Sequence, residues 1–152
     1  MLNYCKEYFT DRALKDVFVL TCDRMRKYEG NWHLERKFIF PAHIFLESEN
    51  EEILLKEFKK CGRIAGQKAR LLRISREEEE FLKRLCGEER HLEMSRGIIR
   101  DGITRVTEGP LRGMEGWIRK IDRHKRLARV GMKEEPDFSY VLAGLEITEK
   151  LV

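Results

Sequence analysis

The residues best suited to chemistry lie in one stretch, Arg119-Lys120-Ile121-Asp122-Arg123-His124-Lys125-Arg126, where five of eight side chains are Lys or Arg. The pattern reads as strand, tight turn, strand, which gathers the cations at a hairpin tip. Guanidinium groups fork onto phosphate oxygens or a guanine edge, so the chemistry on offer is phosphate contact. Arg112 and Arg129 extend the run: residues 103–132 hold eight Lys/Arg against three acids, and the tail after them reverses sign. A solvated basic hairpin without a ligand has the same composition, so the run alone leaves both readings open.

Bond-making chemistry has little support. The histidines His33, His43, His91 and His124 lack H-x-x-x-H spacing, and Ser48, Ser75, Ser95 and Ser139 lack a nucleophile elbow. Gly109-Pro110-Leu111-Arg112-Gly113-Met114-Glu115-Gly116 is neither a dinucleotide fingerprint nor a Walker loop, and its glycines are expected to serve turns. Cys5, Cys22, Cys61 and Cys86 stand singly, with no C-x-x-C. The expectation is a protein that is not an enzyme, holds no metal or cofactor, and keeps reduced thiols in the cytoplasm.

The elements that must position the basic hairpin come from a chain of 152 residues, 41% hydrophobic and 38% charged, with a net charge of +4. That composition excludes wholesale disorder, and no apolar run approaches the roughly 20 residues of a membrane span. The start lacks the apolar core of a signal peptide. Met1 to Phe9 reads as a short helix. Asp16 to Thr21 reads as a strand that continues to Tyr28, turns at Glu29-Gly30-Asn31 and returns from Trp32 to Phe40 as a projecting hairpin. Ala42 to Glu47 is predicted as a buried strand. A helix capped by Ser48 is expected to end at Gly62, and Ala69 to Ile74 is a short strand candidate.

Ser75-Arg76-Glu77-Glu78 has capping-box spacing and opens a helix through Leu85 to Gly87, with the Glu77–Glu80 run as its solvated first turn. From about residue 92 the texture changes to short strands between glycines: Ile103 to Thr107, Trp117 to Ile121, Leu127 to Met132 and Tyr140 to Leu142. The reading is therefore α+β, with an α+β part over 1–100 and a small all-β barrel over 101–152.

Two stretches carry a resemblance. Phe40-Pro41-Ala42-His43-Ile44-Phe45 resembles the F-P-G-Y-V/I-F motif of the NusG family's N-terminal (NGN) domain, with Ala42 and His43 in place of Gly and Tyr. Val106 to Gly116 resembles a KOW motif, the hairpin from Asp23 to Glu35 resembles that of NusG paralogues, and the basic run Ile118 to Arg126 is similar to the version in the specialised LoaP-type paralogues. The resemblance implies a ferredoxin-like NGN domain followed by an SH3-like KOW barrel, in a transcription factor of elongation, termination or antitermination. It also implies an apolar first strand that this chain lacks, because Met1 already falls in the part matching the next helix, so a start further upstream is expected.

By the same resemblance, Phe40, Pro41, His43, Ile44 and Phe45 would meet the clamp helices of the largest subunit of bacterial RNA polymerase. Arg26, Lys27, Tyr28, Trp32 and His33 would form a hairpin bridging the polymerase cleft or touching nontemplate DNA. Arg112, Arg119, Lys120, Arg123, His124, Lys125, Arg126 and Arg129 would bind a leader RNA hairpin. The alternatives are a general NusG-type factor whose KOW domain recruits Rho or a ribosomal protein, and a ribosome-associated KOW protein.

Overall fold

Hydrophobic alternation and turn chemistry resolve into helices α1 (Leu2–Tyr8), α2 (Glu51–Cys61) and α3 (Arg76–Cys86) and a set of mostly short strands. The strands are β1 (Asp16–Phe18), β2 (Thr21–Tyr28), β3 (Asn31–Phe38), β4 (Phe45–Glu47), β5 (Arg63–Ile64), β6 (Gln67–Lys68) and β7 (His91–Leu92). They continue with β8 (Ser95–Arg100), β9 (Ile103–Glu108), β10 (Ile118–Asp122), β11 (Leu127–Gly131) and β12 (Tyr140–Leu151). This computed structural model describes residues 2–61, 63–64, 67–131 and 140–151; Met1, Gly62, Met132 and Ser139, named above, lie outside them. The α+β class expected from the sequence is the class observed. No helix among the described residues is long and apolar enough to cross a membrane.

The chain divides into two compact units, the first made of Met1–Val19 and Pro41–Arg73. Its core is Cys5, Phe9, Ala13, Val17 and Leu54, with Ile44 and Leu46 packed against it. Strands β1 and β4 pair antiparallel, setting Val17 opposite Leu46 and Phe18 opposite Phe45. The expected strand from Ala42 is shortened to Phe45–Glu47, because Ala42 has φ +64° and turns the backbone out of extended geometry. Ser48 does not supply the helix cap: its hydroxyl donates to the Ala13 carbonyl, and Asn50 Oδ1 instead accepts from Ile53 N–H at 3.2 Å. Residues 69–74 form no strand; Ala69 packs against the core instead. Glu57 accepts bonds from the Thr10 hydroxyl at 2.6 Å and backbone N–H at 2.8 Å, which hold its carboxyl below the usual range.

The second unit comprises Leu20–Phe40 and Ile74–Val152. The strand expected to run unbroken from Asp16 to Tyr28 is interrupted at Val19-Leu20, and the Leu20 carbonyl accepts from Ile39 N–H at 2.9 Å. Beyond it β2 pairs with β3 up to Tyr28 opposite Asn31, leaving a two-residue turn, Glu29-Gly30. Both turn residues have positive φ, +53° and +78°, the geometry whose twist suits a tight hairpin. On its other side β2 pairs parallel with β7.

Helix α3 has the expected capping box, with Ser75 and Glu78 exchanging side-chain and backbone hydrogen bonds at 3.1 Å. A five-stranded sheet follows in the order β10-β11-β12-β8-β9, antiparallel except where β12 meets β8. The division expected near residue 100 falls in the turn between β8 and β9, inside this sheet, and the β2–β3 hairpin belongs to the same unit. Cys22 and Cys86 are buried free thiols; burial raises both pKa values, that of Cys86 to about 12.

Gly109 decides how the start of the all-β part closes. Its φ is +100°, and a Cβ there would stand 2.6 Å from both Met94 O and Ser95 Cα. The approach lets buried Ser95 Oγ accept from Leu111 N–H at 3.1 Å. Gly109→Ala is expected to destabilise the chain more than the roughly 1 kcal/mol of a backbone penalty alone, because two backbone atoms must also move. Ser95→Ala, which orphans a buried N–H, should cost about 1–3 kcal/mol. Urea unfolding followed by circular dichroism measures both.

Candidate nucleic-acid interface

The β10–β11 turn is built by its own acid. Asp122 Oδ1 accepts from Lys125 N–H at 3.1 Å, and Arg126 takes φ +53° to send the chain back into β11. Arg123, His124 and Lys125 are left exposed at the tip. Behind them Lys120 stands opposite Arg129, while the buried Ala128 and Val130 set the inward face of β11. The Arg129 guanidinium lies 4.2 Å over the Tyr140 ring, and Arg119 Nε donates to Gly131 O at 2.9 Å. The cations therefore differ in freedom: the tip is open to a ligand, and its flanks are held. Arg112 is exposed, with its backbone N–H donating to Gly109 O at 3.1 Å.

Arg126 points elsewhere. Its guanidinium lies 4.1 Å from the Trp32 ring and 3.6 Å from Glu146, whose other carboxylate oxygen is 3.5 Å from Arg96. Lys27 stands opposite Trp32 across the β2–β3 ladder, with its ammonium 6.0 Å from the same ring. A groove of about 330 Å³ opens here, lined by Lys27 and Trp32 on one side and by Arg123, His124 and Arg126 on the other. Glu146 and Ile147 of β12 complete the lining. Residues assigned from sequence to two different roles thus meet within one unit.

The rest of the β2–β3 hairpin is ordered by stacking. The rings of Tyr28 and His33 lie 3.6 Å apart at 11°, and the Arg26 guanidinium is 5.6 Å from Tyr28. At the hairpin base His91 spans two partners: its Nδ1 is 2.7 Å from Thr21 Oγ1 and its Nε2 is 2.8 Å from Asp23 Oδ1. The Asp23 carboxylate only accepts, so His91 Nε2–H donates to it, and Arg36 donates to the same Thr21 oxygen at 3.2 Å. This clip fixes the short β2–β7 pairing.

Four of the five residues assigned to polymerase contact, Pro41, His43, Ile44 and Phe45, lie in the first unit. Pro41 and His43 are exposed, and His43 Nδ1 bonds to Pro41 O at 2.9 Å. Ile44 packs on the core, and Phe45 stacks on Phe18 with centroids 5.6 Å apart. Phe40 is half-buried and belongs to the second unit. Sequence reasoning missed Phe18, Arg96, Tyr140, Glu146 and Ile147. The one local signal was Trp32, an indole in a hairpin that also carries Arg26, Lys27, Arg36 and Lys37. No family model and no curated protein matches this chain.

His91→Ala removes both halves of the clip, and we expect a loss of about 1–3 kcal/mol of stability. Amide exchange in β2 should rise together with the fall in the urea midpoint. Unchanged exchange at Cys22 and Asp23 would show that the clip does not hold the hairpin.

Proposed function

We propose that this chain is a processive antitermination factor of the NusG type, nearest the LoaP branch, which engages RNA polymerase and a leader RNA hairpin. The observation that carries this reading is the tip of the β10–β11 hairpin. There Arg123, His124 and Lys125 are exposed, while Arg119, Arg126 and Arg129 are held by a backbone carbonyl, an indole with a carboxylate, and a phenol ring. Held flanks give a phosphate-backbone reader a rigid frame, because Arg119, Arg126 and Arg129 have little side-chain freedom left to lose, and the exposed tip is open to the phosphates. The arrangement of short strands after residue 92 supports an SH3-like KOW barrel, and the F-P-x-x-I-F motif supports an NGN-type partner for polymerase.

The mechanism needs no bond chemistry. A factor that binds the closed-clamp polymerase more tightly than the paused form shifts that equilibrium by its differential affinity. Leader RNA held by the second unit raises the local concentration of the first at the polymerase that has just made it. The reaction is association, and its selectivity comes from the RNA.

Terminator read-through by purified bacterial RNA polymerase, with and without the leader in the transcript, tests this. Leader-dependent read-through is expected. The double variant Arg123→Glu/Lys125→Glu should weaken RNA binding about tenfold or more and abolish that dependence. Leader-independent read-through would favour a general factor whose second part recruits a protein. His43→Asp, at an exposed position, should weaken binding to the clamp helices about tenfold. Full binding by that variant would remove the polymerase assignment from this loop.

A further inference from the structure

The groove beside Trp32 has a composition that backbone contact alone does not explain. Its rim carries Lys27, Arg123 and His124, as a phosphate site would. Its walls, however, hold an indole, and its lining includes a carboxylate, Glu146. Bases within a duplex are stacked and paired, so they present edges and backbone to a protein and have no free face for an indole. A nucleotide in a loop, a bulge or a strand end does have one, and aromatic stacking is how proteins hold such bases.

The carboxylate sets the orientation. Glu146 is engaged by Arg126 and Arg96 at 3.6 and 3.5 Å, which keeps the Arg126 guanidinium against Trp32. With both its oxygens paired to guanidiniums, Glu146 leaves the exposed Lys27 and Arg123 to take phosphates and the indole to take the base. A nucleotide therefore enters base first. The ammonium of Lys27, at 6.0 Å, is at the outer limit of cation–π attraction and is readily exchanged for a base and its phosphate.

We infer that this groove is a stacking site for one unpaired RNA nucleotide, with its base on Trp32 beside Arg126 and its phosphates on Lys27 and Arg123. The inference rests on the RNA reading above and deepens it. The RNA recognised has an extruded or single-stranded base next to its paired part, and the β2–β3 hairpin is half of the RNA reader.

The test uses the full chain with Trp117→Phe, which leaves Trp32 as the sole tryptophan of the two. Oligo(A) and an RNA duplex of matched length are titrated. Oligo(A) is expected to quench Trp32 emission saturably, and the duplex to leave it unchanged. Trp32→Ala should weaken oligo(A) binding about tenfold or more, Trp32→Phe by less than about threefold, with duplex binding unaffected in both. Lys27→Ala should lower the slope of log affinity against log salt by about one. Glu146→Gln should reduce the preference for oligo(A) over duplex.

If oligo(A) neither quenches Trp32 nor responds to Trp32→Ala and Lys27→Ala, while Arg123→Glu/Lys125→Glu still weakens RNA binding, the groove assignment is wrong and the RNA reading stands. If RNA does not bind the parent protein, both fail together. Should Trp32→Ala not fold, quenching in the parent and the exposed Lys27→Ala variant decide the matter.

Discussion

Arg126 ties the β2–β3 and β10–β11 hairpins of the second unit to one another. Its positive φ reverses the chain between β10 and β11, and its carbonyl accepts from Leu145 N–H at 2.9 Å, fastening the turn to β12. Its guanidinium meanwhile reaches the indole of β3 and the carboxylate of β12. A cation–π contact of this kind contributes about 0.5–2 kcal/mol, and the half-buried ion pair adds directionality more than energy. One side chain thus gives two hairpins far apart in sequence a common wall. Lysine would keep the charge and lose the planar group that stacks and pairs at once.

Around that point the cations divide by what holds them. Arg129 lies on Tyr140 and Arg119 on a backbone carbonyl, so their long side chains are already ordered. Arg123, His124 and Lys125 keep their freedom at the tip, where solvent and counterions screen them. Positive charge of this kind attracts polyanions without telling them apart. Beside these cations lies the groove, with an indole and a carboxylate in its lining.

The framework behind the interface relies on close contacts more than on bulk. Gly109 brings the backbone against Met94 and Ser95, so a buried hydroxyl can receive Leu111 N–H. His91 closes a parallel pairing between two strands of which one has only two residues, a contact too short to persist on ladder bonds alone. Cys22 and Cys86 are buried, with thiol pKa values raised, and so act as small apolar groups with little thiolate character. These features fix where β2 lies and hence where Lys27 and Trp32 stand.

Local chemistry was readable along the chain wherever neighbours in sequence are neighbours in space. The Ser75–Glu78 capping box, the Glu29-Gly30 turn and the basic β10–β11 hairpin each involve residues within a few positions of one another, and each formed as its pattern predicts. Ser48 shows the limit: its type and position suit a cap, yet a carbonyl from Ala13 claimed its hydroxyl and Asn50 took the role. The break at Val19-Leu20 is another, since strand propensity runs through it and only the pairing partners on either side differ. The meeting of Trp32, Arg126 and Glu146 had no local signal, because it joins residues brought together by three separate ladders. Sequence alone determined the inventory of charges, caps and turns, which are short-range. Tertiary structure decided which of them share a surface, because strand pairing is long-range and each side chain's partners depend on the whole register.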